Sequence, residues 1–202
     1  MKLVGIEKKI GDFQLAIDSL EFAAGKIHGL VGHNGAGKSI LLKIIMGLIR
    51  PDAGHIDYAG LAMDEITLMT QTPYLLHRSV YENVIYPLKI RGVKIDAHKE
   101  KEIDVLLERA GMLSHKEQYA LSLSSGERQK LSFLRAVIFE PRLIMMDETL
   151  SNLDPDSEKT IIEMIKEIQA ARRATWIIVS HQLESKEGLC DFIHRLEGGR
   201  LL

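Results

Sequence analysis

A single cysteine, Cys190, stands among 202 residues, so no disulfide can close within the chain, which suits a reducing compartment. Cys190 reads as a small apolar side chain and not as a reactive thiol. Long hydrophobic runs are missing too. None approaches the ~20 apolar residues needed to span a bilayer, and the longest, Leu143–Met146 and Trp176–Val179, have the length and bounds of buried strands. The N-terminus, MKLVGIEKK, has no long apolar stretch followed by a small-residue cleavage site, so no signal peptide is expected. Nor is there an excess of positive charge: 26 Lys and Arg against 28 Asp and Glu leave a formal charge of -2 and no basic stripe. That argues against DNA or RNA as the principal ligand. A cytoplasmic chain is expected, with any membrane role supplied by a partner.

With 46% hydrophobic and 27% charged residues, the composition is that of a soluble globular protein, and the length suits one domain with room for a subdomain. Phe13–Phe22 alternates in part and reads as a strand or hairpin arm. Ile27–Val31 is a short apolar strand running straight into Gly32, and Ser39–Leu48 is helical, with Leu41, Leu42, Ile45 and Leu48 on one face. Pro51–Gly54 reads as a turn and Ile66–Met69 as a strand ending at Gln71. Amphipathic helices follow at Lys99–Gly111 and Gly126–Phe139, the second stopped by Pro141. Leu143–Met146, Ile177–Val179 and Ile193–Leu196 read as strands, with a helix at Ser157–Ala171 and a turn at Gly198-Gly199. This alternation implies an α/β fold, a mostly parallel sheet covered by helices.

Residues Gly32–Ser39 read GHNGAGKS and fit G-x-x-x-x-G-K-S/T, the phosphate-cradling P-loop. Gly32, Gly35 and Gly37 permit a backbone tight enough to aim successive N–H groups at phosphate oxygens. His33, Asn34 and Ala36 complete the loop. The following helix adds the positive end of its dipole. Lys38 is placed to reach the β- and γ-phosphates, and the Ser39 hydroxyl to ligate Mg²⁺. Asp147 and Glu148 close an apolar strand, which suits a magnesium-binding Asp followed by a general base. A nucleoside triphosphate with Mg²⁺ is the implied ligand.

These motifs continue in a fixed order. After the P-loop (Walker A) come Gln71, the pentapeptide Leu123–Glu127 (LSSGE), the Asp147-Glu148 strand end, Ser151-Asn152-Leu153-Asp154, and His181 after a core strand. In that order they resemble the ATPase subunits of ABC transporters over nearly the whole chain. The resemblance implies a P-loop core with an N-terminal β subdomain (residues 1–72 and 140–202) and an inserted helical subdomain (73–139) that carries the signature motif. It implies that Gln71 contacts Mg²⁺ and the attacking water, and that Ser124, Ser125 and Gly126 contact ATP held by a second subunit. By the same resemblance His181 holds the γ-phosphate and Glu148, and Asp154 couples the two sites of a dimer.

Departures from the family pattern are Ser125 and Glu127 in the signature, commonly LSGGQ, Thr149 after the catalytic Glu, and Gln182 after His181. For stacking on adenine Phe13 is the nearest aromatic, with membership of the following strand as its alternative. Thr72–Gly92 resembles the stretch that receives the permease in import ATPases, and Glu7–Leu15 (EKKIGDFQL) the opening of molybdate and tungstate importers. The resemblance therefore implies ATP hydrolysis coupled to a transmembrane permease, by a homodimer or a pair of similar subunits, with an oxyanion as one lead for the solute. The chain would then be peripheral on the inner face of the membrane. A soluble ABC ATPase without a transport role is the alternative. No C-terminal regulatory domain is expected after Gly198-Gly199-Arg200.

Overall fold

The computed structural model describes residues 1–151, 153–180, 183 and 188–202. They fall into two compact units. One comprises Met1–Gln71, Arg142–Ser151 and Gln169–Leu202, the other Thr72–Pro141 and Asn152–Ile168. Residues 152–168 thus belong with the helical unit and not with the core. Local contacts explain it: Glu167 pairs with Arg109 at 2.7 Å, and Gly126 lies directly against Ser157.

The first unit carries two sheets. Strands β1 (Lys2–Ile10) and β2 (Phe13–Glu21) form an antiparallel hairpin joined by Gly11-Asp12, and β4 (Ala53–Asp57) pairs with the other edge of β1. Its larger sheet runs β5 (Ile66–Met69), β6 (Leu143–Asp147), β7 (Thr175–Val179), β3 (Ile27–Val31), β8 (Phe192–Glu197) and β9 (Arg200–Leu201) in spatial order. The first five are parallel and β9 returns antiparallel. Every residue of β3, β6 and β7 is buried. A parallel sheet covered on both faces has no polar side to show, which is why these strands read as unbroken apolar runs.

Helix α1 (Lys38–Ile45) buries Leu41, Leu42, Ile44 and Ile45 in a core shared with Leu3, Ile17 and Phe22 of the small sheet and Ile66, Met145 and Ile177 of the large one. The helix ends earlier than its sequence suggested, so Leu48 falls beyond it and is 66% exposed. Likewise the turn expected to run to Gly54 gives way at Ala53 to β4. Leu41→Ala should destabilise this unit by about 3 kcal/mol, the usual cost of a buried cavity. Urea unfolding checks it.

One carboxylate ties β8 to β3. Asp191 Oδ2 accepts the Ile27 N–H at 2.8 Å, and Lys26 Nζ donates to Oδ1 at 3.1 Å. The Ile27 N–H bond, aided by Lys26, holds the Asp191 carboxyl below its ordinary value. A depressed carboxylate stabilises the fold above its unfolded pKa, and the gain is lost as pH falls through the folded one. Asp191→Asn should therefore lower the melting temperature at pH 7, with the gap to wild type closing below about pH 4. Thermal melts across pH check the sign.

In the second unit, helices α2 (Val80–Ile90), α3 (Ala97–Arg109), α4 (Ser125–Val137) and the start of α5 (Pro155–Arg172) bury Val84, Leu88, Ile103, Leu107, Leu131 and Leu134. Ser79 caps α2 in a reciprocal box with Glu82. Asn83, fully buried, organises the segment before α2. Its Oδ1 accepts the Leu76 N–H at 2.8 Å, and its amide donates to the carbonyls of Leu76 at 3.1 Å and Ser79 at 2.9 Å.

Candidate nucleotide-binding site

Parallel pairing of β5, β6, β7 and β3 brings their carboxyl ends to one edge of the sheet, where open α/β sheets bind ligands. The chain leaves β3 at Gly32, β5 two residues before Gln71, β6 at Asp147-Glu148 and β7 one residue before Ser180. Residues 34–40, Gln71 and Glu148 line a single open cavity of about 240 Å³. Three motifs remote in sequence are thereby assembled by strand order alone.

The loop itself is shaped by its glycines. Gly37 has φ 105° and takes the N-cap position of α1. A Cβ there would lie 2.8 Å from Cζ of Phe13, so the aromatic ring packs against the Gly37 backbone. At Gly32 a Cβ would lie 2.0 Å from the Leu196 carbonyl oxygen, and no side chain fits. Helix α1 has no side-chain cap and no acid in its first turn, whereas α2 to α5 each carry one there. Its first N–H groups and positive dipole end are left for an anion.

Lys38 is 5% exposed and folds back over the loop, where Nζ donates to the carbonyls of Gly32 at 2.6 Å and His33 at 3.0 Å. Burial lowers its pKa, opposed by Glu148 and Asp147. Glu148 Oε1 lies 3.8 Å from Lys38 Nζ. Glu148 adopts φ 52°, a left-handed conformation that a non-glycine residue seldom holds and that recurs at functional sites. Its N–H donates to the Val179 carbonyl at 3.0 Å, which fixes this turn at the edge of the sheet.

Ser39 Oγ donates to Asp147 Oδ1 at 3.0 Å, joining positions 108 residues apart. Burial pushes the Asp147 carboxyl up, against the Ser39 hydrogen bond. The donor set fits a hard divalent cation. Ser39 Oγ and Asp147 Oδ1 are close enough to share one ion, and Gln71 adds an amide oxygen on the same cavity wall.

Ser124, Ser125 and Gly126 lie in the second unit, at the N-terminus of α4. Ser124 is the N-cap, and a Cβ at Gly126 would lie 2.4 Å from Asp154 Oδ2. Asp154 in turn caps α5, its Oδ1 accepting the Ser157 N–H at 2.9 Å, with Pro155 at the first helical position. His181 lies outside the described residues, as do Asn152 and Gln182. Two features went beyond the sequence reading: the packing of Phe13, the aromatic it named, on Gly37, and the partners of Glu127, which accepts the Ser124 N–H and Oγ–H at 2.8 Å and lies 3.3 Å from His115 Nε2. The first had a signal, because Phe13 follows the two-residue turn Gly11-Asp12 that brings β2 back across the sheet.

The profile of the ABC transporter family matches residues 15–151, more than half of the chain. The chain belongs to the ABC transporter family. As an ABC ATP-binding subunit it binds and hydrolyses ATP. It is 36% identical to a tungstate uptake system ATP-binding protein of Peptoclostridium acidaminophilum over 95% of this chain and 91% of that one. It is 35% identical to a methionine import ATP-binding protein of Cupriavidus necator over 91% of this chain, but spans only 57% of that protein. A further methionine import ATP-binding protein, from Paraburkholderia xenovorans, is 31% identical and matched over 52% of its own length. The chain thus spans little more than half of these methionine relatives.

Among solved structures, an ATP binding subunit of an ABC transporter superposes with a TM-score of 0.86 at 24% identity, covering 99% of this chain and 87% of that one. The cbiO1 protein of Clostridium perfringens, part of the ABC transporter complex cbiONQ, gives 0.83 at 24% identity, over 100% of this chain and 86% of that one. These superpositions bear on the fold, which is that of ABC ATPase subunits: an α/β core with a parallel-rich sheet.

Proposed function

We propose that this chain is the energising subunit of an ABC importer, closing with a second ATPase chain over two MgATP to drive a membrane permease. The observation that carries the catalytic part is the convergence of Lys38, Ser39, Asp147 and Glu148 at the carboxyl edge of one sheet. Import is supported by the tungstate and methionine uptake relatives. An oxyanion is the favoured solute class, because the tungstate protein is matched along 91% of its length. Among the described residues no helix is long and apolar enough to cross a membrane. Peripheral attachment through the permease is proposed accordingly.

In this role the N–H groups opening α1 hold the phosphates, and Phe13, at the Gly37 wall, stacks on the adenine. Lys38 releases the Gly32 and His33 carbonyls and turns to the β- and γ-phosphates. Ser39, Asp147 and Gln71 hold Mg²⁺, which supplies charge neutralisation on the phosphate oxygens. Glu148 accepts a proton from the attacking water. At 3.8 Å Lys38 and Glu148 are in ion-pair contact, so the γ-phosphate and the attacking water enter as the two side chains separate. Gln71 and His181 orient the water and the γ-phosphate. Ser124, Ser125 and Gly126 close on the ATP of the partner, and Asp154 couples the paired sites. Thr72–Gly92, braced by Asn83, receives the permease.

Purification of the tagged chain from native membranes in mild detergent tests the transport role. A stoichiometric polytopic membrane protein is expected with it. Recovery with a soluble partner only would replace the importer reading by that of a non-transport ABC ATPase.

A further inference from the structure

Two histidines meet in the seam between β3 and β8. His28 is 1% exposed, and its Nδ1 lies 3.0 Å from Nε2 of the half-buried His194. The two rings stack with centroids 5.2 Å apart. Phe192 stacks on His28 at 5.1 Å, and Phe22 meets both imidazoles edge-on. On its far side His28 places Nε2 3.1 Å from the Ala23 carbonyl. A carbonyl only accepts, so neutral His28 carries its proton on Nε2 and leaves Nδ1 as an acceptor. His194 then donates through its own Nε2–H. One backbone oxygen thus fixes both tautomers. Few charges act on the pair. Asp191, just before β8, favours a charged His28, and the terminal amine of Met1 opposes it. Asp191 is itself engaged by Lys26 at 3.1 Å. The charge acting on His194 is that of His28. Strand β7, on the other side of β3, carries no titratable side chain, and Arg200 of β9 lies opposite Glu197. Burial dominates at both imidazoles and holds each below its ordinary value.

We propose that the His28–His194 pair is an acid-sensitive latch on the sheet that carries the P-loop, closed while the pair holds no more than one extra proton and parted by a second. The first proton goes to His194 Nδ1, the ring nitrogen outside the pair. Nε2–H of that imidazolium still donates to His28 Nδ1, so the contact is kept and becomes charge-assisted. A second proton has only His28 Nδ1 to occupy. Two N–H groups then confront each other across 3.0 Å, and two like charges share a seam closed by Phe22 and Phe192. His28 cannot turn away without giving up the Ala23 carbonyl. The seam leads directly to the nucleotide end of the sheet: Leu30 pairs with His194 and Val31 with Arg195, and the Gly32 backbone lies against the Leu196 carbonyl. Unfolded histidines take up protons at about pH 6.5, and the folded pair takes them up only at lower pH. The stabilisation is therefore fully present above that value and is lost as pH falls towards the values of the folded pair.

Urea unfolding of the full chain at pH 7.5 and pH 5.5 tests the latch, with His28→Phe, His194→Phe, His28→Gln and the His28→Phe/His194→Phe double variant. Phenylalanine keeps a ring in the stack and removes the titration. It also leaves the Ala23 carbonyl without its donor, a loss equal at both pH values, so the pH dependence is the quantity read. Glutamine at position 28 restores a donor that does not titrate. From pH 7.5 to 5.5 the unfolding constant of the wild type should rise at least about tenfold more than that of the double variant. Each single variant should fall between them. The same rise in wild type and double variant would overturn the proposal. Nitrogen-15 spectra of the wild-type imidazoles test it without any substitution. Both rings should be Nε2–H tautomers at pH 7.5 and should titrate in two separate steps below about pH 6.5. A proton on Nδ1 of neutral His28, or two independent titrations at the ordinary value with the fold intact, would overturn it as well.

Discussion

Glu148→Gln is expected to lower steady-state ATP hydrolysis by about 10²- to 10⁴-fold, the range over which a positioned general base acts, while ATP is still bound. Replacing the carboxylate by an amide removes the proton acceptor and keeps the side-chain size. The residues proposed to hold the phosphates and Mg²⁺, 34–40 and the Ser39–Asp147 pair, are untouched. Burst and steady-state phosphate release, together with equilibrium binding of radiolabelled ATP, separate the two effects. Retention of wild-type turnover would remove Glu148 from the proposed chemistry. Loss of binding in parallel would mean that it serves the site electrostatically and not as a base.

Lys38→Ala should act on the other half of the problem and weaken MgATP binding by roughly 10- to 100-fold, as expected for one charge-assisted contact to phosphate. Lys38 holds its ammonium group within the loop, on the Gly32 and His33 carbonyls. Its removal also leaves Glu148 without the cation 3.8 Å away. The loss of affinity should therefore exceed what screening alone suggests, since the group is almost wholly buried and its field is little weakened by water. Isothermal titration with a slowly hydrolysed ATP analogue measures it. Unchanged affinity would mean that backbone N–H groups alone hold the phosphates.

How far the sequence carried these assignments varied with the physics behind each. The buried strands at Ile27–Val31 and Leu143–Asp147 were legible because a doubly covered strand is apolar throughout. By contrast β1 was obscured: its register shifts between Val4 and Glu7, so Leu3 and Ile6 turn inward three residues apart and break the period of two. Pro87 interrupts the helical pattern of α2, and β4 is too exposed to alternate. The P-loop needed only local spacing. The union of Ser39 with Asp147 across 108 positions depended on strand order, which no local pattern contains. Glu127 was visible as a departure from the signature, but its pairing with His115 through a turn twelve residues earlier required coordinates.

In the proposed dimer one chain holds only half of the machinery, and its own signature motif serves a second chain. The mass of Glu148→Gln in solution, from size-exclusion chromatography with light scattering, tests this. A monomer is expected without nucleotide and a dimer with MgATP, because the slow variant lets the closed pair accumulate. A monomer at high concentrations of protein and MgATP, with ATP demonstrably bound, would contradict it.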